Sequence, residues 1–385
     1  MKSTINLMLV RIGAFRIPEN GRLFQMFLLA ATYFPLLVYI ISQNYVGIFT
    51  PLVLWSVTLI GTVSGAHVFL SLYLLINLND TIGVTRPILN LVVIPLFIIS
   101  INIFIITFCS LFFVMIFMLF YIHYAMWHFG RQNLGVVTFS TNISMRRPMM
   151  KFERTTIMFG VLAGVLGSYS VFSPALMLSP KLFPFDTLFV EKIFYFSKIF
   201  GWIVYAVLTP IVLIYVIRNH RGFDISSLLL YLGSVFFFLP IYVSQNKIYT
   251  LASYTTAHGL QYVVFLLFHA IVKSRDPKRG PPDVGSDVSR WRFFSYIRSF
   301  APLLTLIAVF ISAITVWDLA AGFQNGTTSL FDWFIEKEIL MKTAFGLILG
   351  ITMAHYWVDQ KLWKFQNKER RKWLSDSYPF LFRQQ

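Results

Sequence analysis

Residues 87 to 129 contain no Asp, Glu, Lys or Arg. Drawn as one straight helix, that run of 43 residues would be about 64 Å long, roughly twice the hydrocarbon thickness of a bilayer. The chain must therefore fold back within an apolar medium or project far out of it. Ser100 and Asn102, following Pro95, are the polar residues at which a reversal is expected. This divides the run into segments near 87–103 and 104–129.

The rest of the chain repeats the pattern. Apolar windows of about 20 residues, the length that spans a bilayer as a helix, fall near 23–43, 51–77, 155–178, 193–217, 225–243, 248–273, 299–321 and 338–361. Hydrophobic residues make up 57% of the chain and charged residues 12%, against about 25% charged in a soluble domain. The predicted fold class is all-α, a polytopic integral membrane protein of about ten transmembrane helices.

A formal net charge of +16 would point to nucleic acid in a soluble protein. Here the cations gather between apolar windows: Arg11, Arg16 and Arg22; Arg146, Arg147, Lys151 and Arg154; Arg218 and Arg221; and the basic tail from Lys361. Such loops face the cytoplasm and anionic lipid. Connections 44–50, 179–192 and 322–337 are neutral or acidic. Both sets agree only if 87–129 crosses twice, which places both termini inside; the expected location is a bacterial inner membrane. Trp357, Trp363 and Trp373, with Lys361, Lys364 and Lys368, read as an interfacial belt in contact with membrane lipids, not as a nucleic-acid element.

The Pro-, Gly- and charge-rich stretch 274–298 reads as a cytoplasmic linker between an eight-span core, 1–273, and a terminal two-span unit with a basic tail, 299–385. The N-terminal apolar run, interrupted by Arg11 and Arg16, is expected to be retained. Cys109, the single cysteine, excludes a disulfide framework and a cysteine metal cluster within one chain.

The functional signal is histidine placed in apolar helix. In the stretch 250–272, Tyr254, His258, Gln261, Tyr262, Phe265 and His269 share one face at helical spacing. His67, His123, His128 and His355 occupy other apolar segments, and only His220 reads as a loop residue. Ionisable side chains in membrane helices are costly and are functional candidates by default.

His355 and Asp359, at i and i+4, present imidazole and carboxylate on one face, and His128 and Gln132 share that spacing. His123 and His128 diverge by about 140° around a helix, and His258 and His269 lie about 16 Å apart, so neither pair holds one ion. The expected metal ligands are His67, His123, His128, His258, His269, His355 and Asp359. Gln132, Gln261, Tyr254 and Tyr262 are expected to support them. Each histidine alone has an ordinary explanation, a hydrogen bond to a neighbouring helix or an interfacial anchor.

Imidazole with carboxylate suits iron, zinc, copper or manganese rather than Mg²⁺ or Ca²⁺. One or two ions are expected, iron first and zinc or copper next. The expected activity is oxidation of a lipophilic substrate with O₂. With neither G-x-G-x-x-G nor a P-loop in the sequence, electrons would come from a donor protein. A proton- or metal-coupled transporter using the same histidines, a b-type haem protein, and a lipid-modifying enzyme with His258 as base are the alternatives. The H-x-x-H-H boxes of membrane desaturases and hydroxylases are absent. Likeness to membrane carotenoid-cleaving dioxygenases goes no further than single histidines scattered over many helices.

Overall fold

In lipid the backbone finds no water to bond, so apolar segments satisfy their N–H and C=O groups internally as helices. The computed structural model, which describes residues 21–44, 67–68, 84, 86–169, 187–244, 247–274, 338–363 and 367–377, follows that rule. Among the described residues every regular element is helical. In chain order these are α1 (Arg22–Asn44), α2 (Ile94–Phe108), α3 (Leu111–Ser140), α4 (Lys151–Ser168), α5 (Thr187–Arg218), α6 (Ile225–Val235), α7 (Pro240–Val243), α8 (Lys247–Ser274), α9 (Ile339–Leu362) and α10 (Lys368–Ser377). A π-helical turn, Leu89–Val93, leads into α2, and another, Thr141–Met145, extends α3.

Four helical stretches are long and apolar enough to cross a membrane: Leu89–Phe108, Leu111–Met145, Phe189–Arg218 and Ile339–Leu362. Of the about ten spans expected, only these four reach that standard among the described residues. The segments 299–321 and 51–77 lie outside them, apart from His67 and Val68, which are helical. The linker 274–298 lies outside them too, apart from Ser274 at the end of α8. The segment 225–243, expected as one span, is two short helices: a turn follows Val235, and Pro240, which has no N–H to donate, opens α7.

The reversal in 87–129 falls at Cys109 and Ser110, not at Ser100 and Asn102. Both residues at the break are extended, with ψ of 159° and 154°. Asn102 stays helical by donating its side-chain amide to the Ile98 carbonyl at 2.7 Å. Pro95 sits at the first turn of α2, where a missing N–H is tolerated.

Side-chain contacts set the helix directions. Gly346 faces Ile103, Gly350 faces Ile99, and the Trp357 indole N–H donates to the Asn90 carbonyl at 3.0 Å, so α9 runs antiparallel to α2. Against α3 it runs parallel, with Tyr124 beside Tyr356 and His128 beside Asp359. Helices α2 and α3 thus run in opposite directions, as the two arms of a hairpin. Helix α8 runs antiparallel to α1, with Phe24 edge-on to Phe268 and Gln261 bonded to Thr32. Helix α4 runs antiparallel to α5, through Glu153 with Tyr215 and Gly160 with Tyr205.

Helix ends that point one way carry Arg22, Arg86, Arg146, Arg147, Lys151, Arg154, Arg218 and Lys361. At this end Glu153, fully buried, accepts two bonds from Arg147, at 2.5 and 3.0 Å, and one from the Met150 N–H at 2.8 Å. The bonds to Glu153 hold the Arg147 guanidinium above its already high ordinary value. Gln25, Ser140, Ser144 and Ser227 tie α1, α3 and α6 together close by.

Candidate metal centre

Helices α3, α8 and α9, with the helical residue His67, bring four imidazoles and one carboxylate to a single place. His67, His128, His258, His355 and Asp359 are each no more than 5% exposed. The close approach of α9 to α2 follows from side-chain size: a Cβ on Gly350 would stand 2.8 Å from the Ile99 Cα, and one on Gly346 2.9 Å from the Ile103 Cα. That seam fixes the height of α9. His355 and Asp359, one turn apart on it, are thereby held against α3 and α8.

His67 and His355 approach Nε2 to Nε2 at 3.1 Å. The same His355 Nε2 lies 3.3 Å from Asp359 Oδ2, and His128 Nε2 lies 3.7 Å from that oxygen. The His258 ring centre is 4.9 Å from that of His67 and 4.8 Å from that of His128. Two sets of potential ligands result, His67 with His258 and His355, and His128 with His355 and Asp359, the donor atoms of each set lying within 4.8 Å of one another. Ligands about 2.1 Å from one ion can be about 4 Å apart, so small side-chain shifts would close either set on an ion.

Hydrogen bonding within the centre is incomplete. Neither ring nitrogen of His258 has a partner, and His128 Nε2, His355 Nδ1 and Asp359 Oδ1 are likewise unpaired. Buried polar atoms are nearly always bonded, and leaving one bare costs about 1–3 kcal/mol. A transition metal fits this donor set, which combines unpaired imidazole nitrogens with one carboxylate.

The supporting shell differs in part from expectation. Gln132 directs its amide not to a ring nitrogen but to the His258 carbonyl and to Gln261 Oε1, both at 2.9 Å. Gln261 passes the chain on to Thr32 at 2.8 Å and Asn133 at 3.3 Å. Tyr262 packs 5.6 Å from both His67 and His355, and its hydroxyl faces Asp359. Tyr254 is elsewhere: one turn before His258, it donates to the Phe238 carbonyl at 3.1 Å. Phe265 packs on Phe24.

His123 does not join the group. Five residues before His128, it is turned to the exposed side of α3 and contacts the Tyr169 hydroxyl at 3.2 Å. His269 lies on α8, its side chain outside the described ones. His220 is exposed in a short 3₁₀ turn. Two members of the centre were not singled out from sequence. Tyr356 stacks on His128 at 4.2 Å, and Phe129 packs on His258 at 4.7 Å. Each is the immediate neighbour of a candidate ligand, yet adjacency on a helix puts residues about 100° apart, so spacing offered no sign of either.

No protein-family model, curated protein or solved structure matches the chain.

Proposed function

We propose that this protein is a multi-pass inner-membrane metalloenzyme that uses a transition metal, iron in first place, to oxidise a lipophilic substrate with O₂. The observation that carries the reading is the grouping of His128, His355 and Asp359, buried on apolar helices. Two histidines and one carboxylate with open positions are the ligand type of non-haem iron oxygenases. When bound, a redox-active ion would supply the reductive chemistry of O₂.

The chain's own residues hold and insulate that chemistry. With a metal bound, Asp359 would contribute the one negative charge of the two ligand sets. Tyr356 and Phe129 wall the rings of His128 and His258 against water. The Tyr262 hydroxyl, facing Asp359, is placed to carry a proton to or from the carboxylate. Exclusion of water strengthens each of these electrostatic interactions and protects reactive species.

The same reading includes the topology. With α2 and α3 as a hairpin, residues 87–129 cross twice and the basic helix ends lie in the cytoplasm. That arrangement accommodates ten spans with both termini inside.

The test is metal content by mass spectrometry on protein purified in mild detergent, with O₂ uptake measured in lipid nanodiscs. Wild type is expected to carry iron or another transition metal that His355→Ala loses and His258→Ala binds more weakly, and to consume O₂ when a lipophilic substrate and an electron donor are present. Folded, monodisperse wild type without metal would overturn the reading. Proton-coupled transport through the same histidines would then be the next activity to assay.

A further inference from the structure

We infer that the centre holds a single ion, with His355 as the ligand common to two alternative coordination sets. The inference rests on the metal reading above. Its first ground is the geometry at one atom. His355 Nε2 lies both 3.1 Å from His67 Nε2 and 3.3 Å from Asp359 Oδ2. An imidazole nitrogen has one lone pair, and once it is bound to an ion in the His67, His258, His355 set it is not available to the His128, His355, Asp359 set.

Charge gives the second ground. Among the described residues Asp359 is the only carboxylate in the two sets, and the four histidines bind metal as neutral imidazoles. One divalent ion leaves the centre with one net positive charge. Two would leave three, in a group no more than 5% exposed on apolar helices, where uncompensated charge is strongly disfavoured.

The unpaired atoms supply the third. They are divided between the sets: both nitrogens of His258 in the first, His128 Nε2 and Asp359 Oδ1 in the second. Each set therefore has ligands waiting whichever one the ion occupies. The sets also differ in kind. Three imidazoles suit a softer or lower-valent ion, and replacing one by carboxylate favours a harder one. A change in the ion's charge would shift its preference from one set to the other while His355 stays bound.

The experiment is titration of the metal-free, detergent-purified full chain with Co²⁺, read by bound equivalents and by the visible d–d spectrum, with circular dichroism and monodispersity as folding controls. Wild type is expected to bind one equivalent. His67→Ala and Asp359→Ala are each expected to keep one equivalent, bound at least about tenfold more weakly, with spectra that differ from each other because different sets survive. His355→Ala is expected to bind none, and His355→Gln, closer in volume, serves if the alanine variant does not fold. Two equivalents in wild type, complete loss in both His67→Ala and Asp359→Ala, or a full equivalent in folded His355→Ala or His355→Gln would overturn the inference of one ion shared between two sets and leave the metal reading standing. No Co²⁺ bound by wild type would take down both.

Discussion

The Nε2 atoms of His67 and His355 stand 3.1 Å apart across 288 residues of sequence. Without metal this contact is an N–H of one ring donated to the lone pair of the other, so an ion competes with a hydrogen bond as well as with protons.

Metal-dependent stabilisation should consequently be strongest at neutral to mildly alkaline pH and fade as pH drops. The sign follows from competition: protons and the ion seek the same imidazole lone pairs, so acid removes the ion. At free metal a hundred times Kd the stabilisation is about 2.7 kcal/mol, readable as a rise in unfolding midpoint in detergent. A midpoint that neither Zn²⁺ nor Fe²⁺ moves between about pH 6 and 8.5 would speak against a metal centre.

His258 separates binding from stability. Its two bare nitrogens are a burden on the metal-free fold, so His258→Leu should leave that fold as stable or raise its stability by about 1 kcal/mol. The same substitution should weaken metal binding by at least about tenfold. Paired melts with and without metal check this. A large loss of stability without metal would mean that the imidazole has a structural role.

The α2–α9 seam should control the centre from a distance. Gly350→Leu drives a side chain into the Ile99 backbone and should cost roughly 1–3 kcal/mol or more, lowering metal affinity because His355 and Asp359 move with α9. Gly135→Ala in α3 meets no atom within 4 Å, and should be neutral or stabilising by up to about 1 kcal/mol through helix propensity. Equal effects of the two substitutions on metal affinity would remove the seam from the account.

Cys109 tests the hairpin without engineering, being the only cysteine and lying at the α2–α3 reversal. A membrane-impermeant maleimide should modify it in intact spheroplasts and not in sealed inside-out vesicles, with detergent-solubilised protein as the labelling control. Modification only in inside-out vesicles would place the reversal on the cytoplasmic side and sink the proposed orientation.

Helical character, the cationic segments and the candidate ligands could all be read from residue type and spacing. His355 and Asp359 share a face at any i, i+4 spacing, and a 43-residue run without charge is too long to cross once. Where that run turns was not legible, because Ser100 and Asn102 look like a break. Asn102 instead spends its polarity on the carbonyl one turn back.

Phase misled at Tyr254, whereas at His123 it had already set the ring about 140° from His128. Periodicity says which residues share a face of one helix, not which neighbour that face meets at each level. One turn before His258 the neighbour is the Phe238 carbonyl, and five residues before His128 it is Tyr169. The sequence by itself determined an apolar, helical chain with histidines buried along it, because hydropathy and spacing are local properties. Tertiary structure alone decided that His67, His128, His258, His355 and Asp359 meet and that His355 stands at the centre of them. Such meetings depend on how closely α9 seats on α2 and on which way each helix runs, and no local pattern contains that.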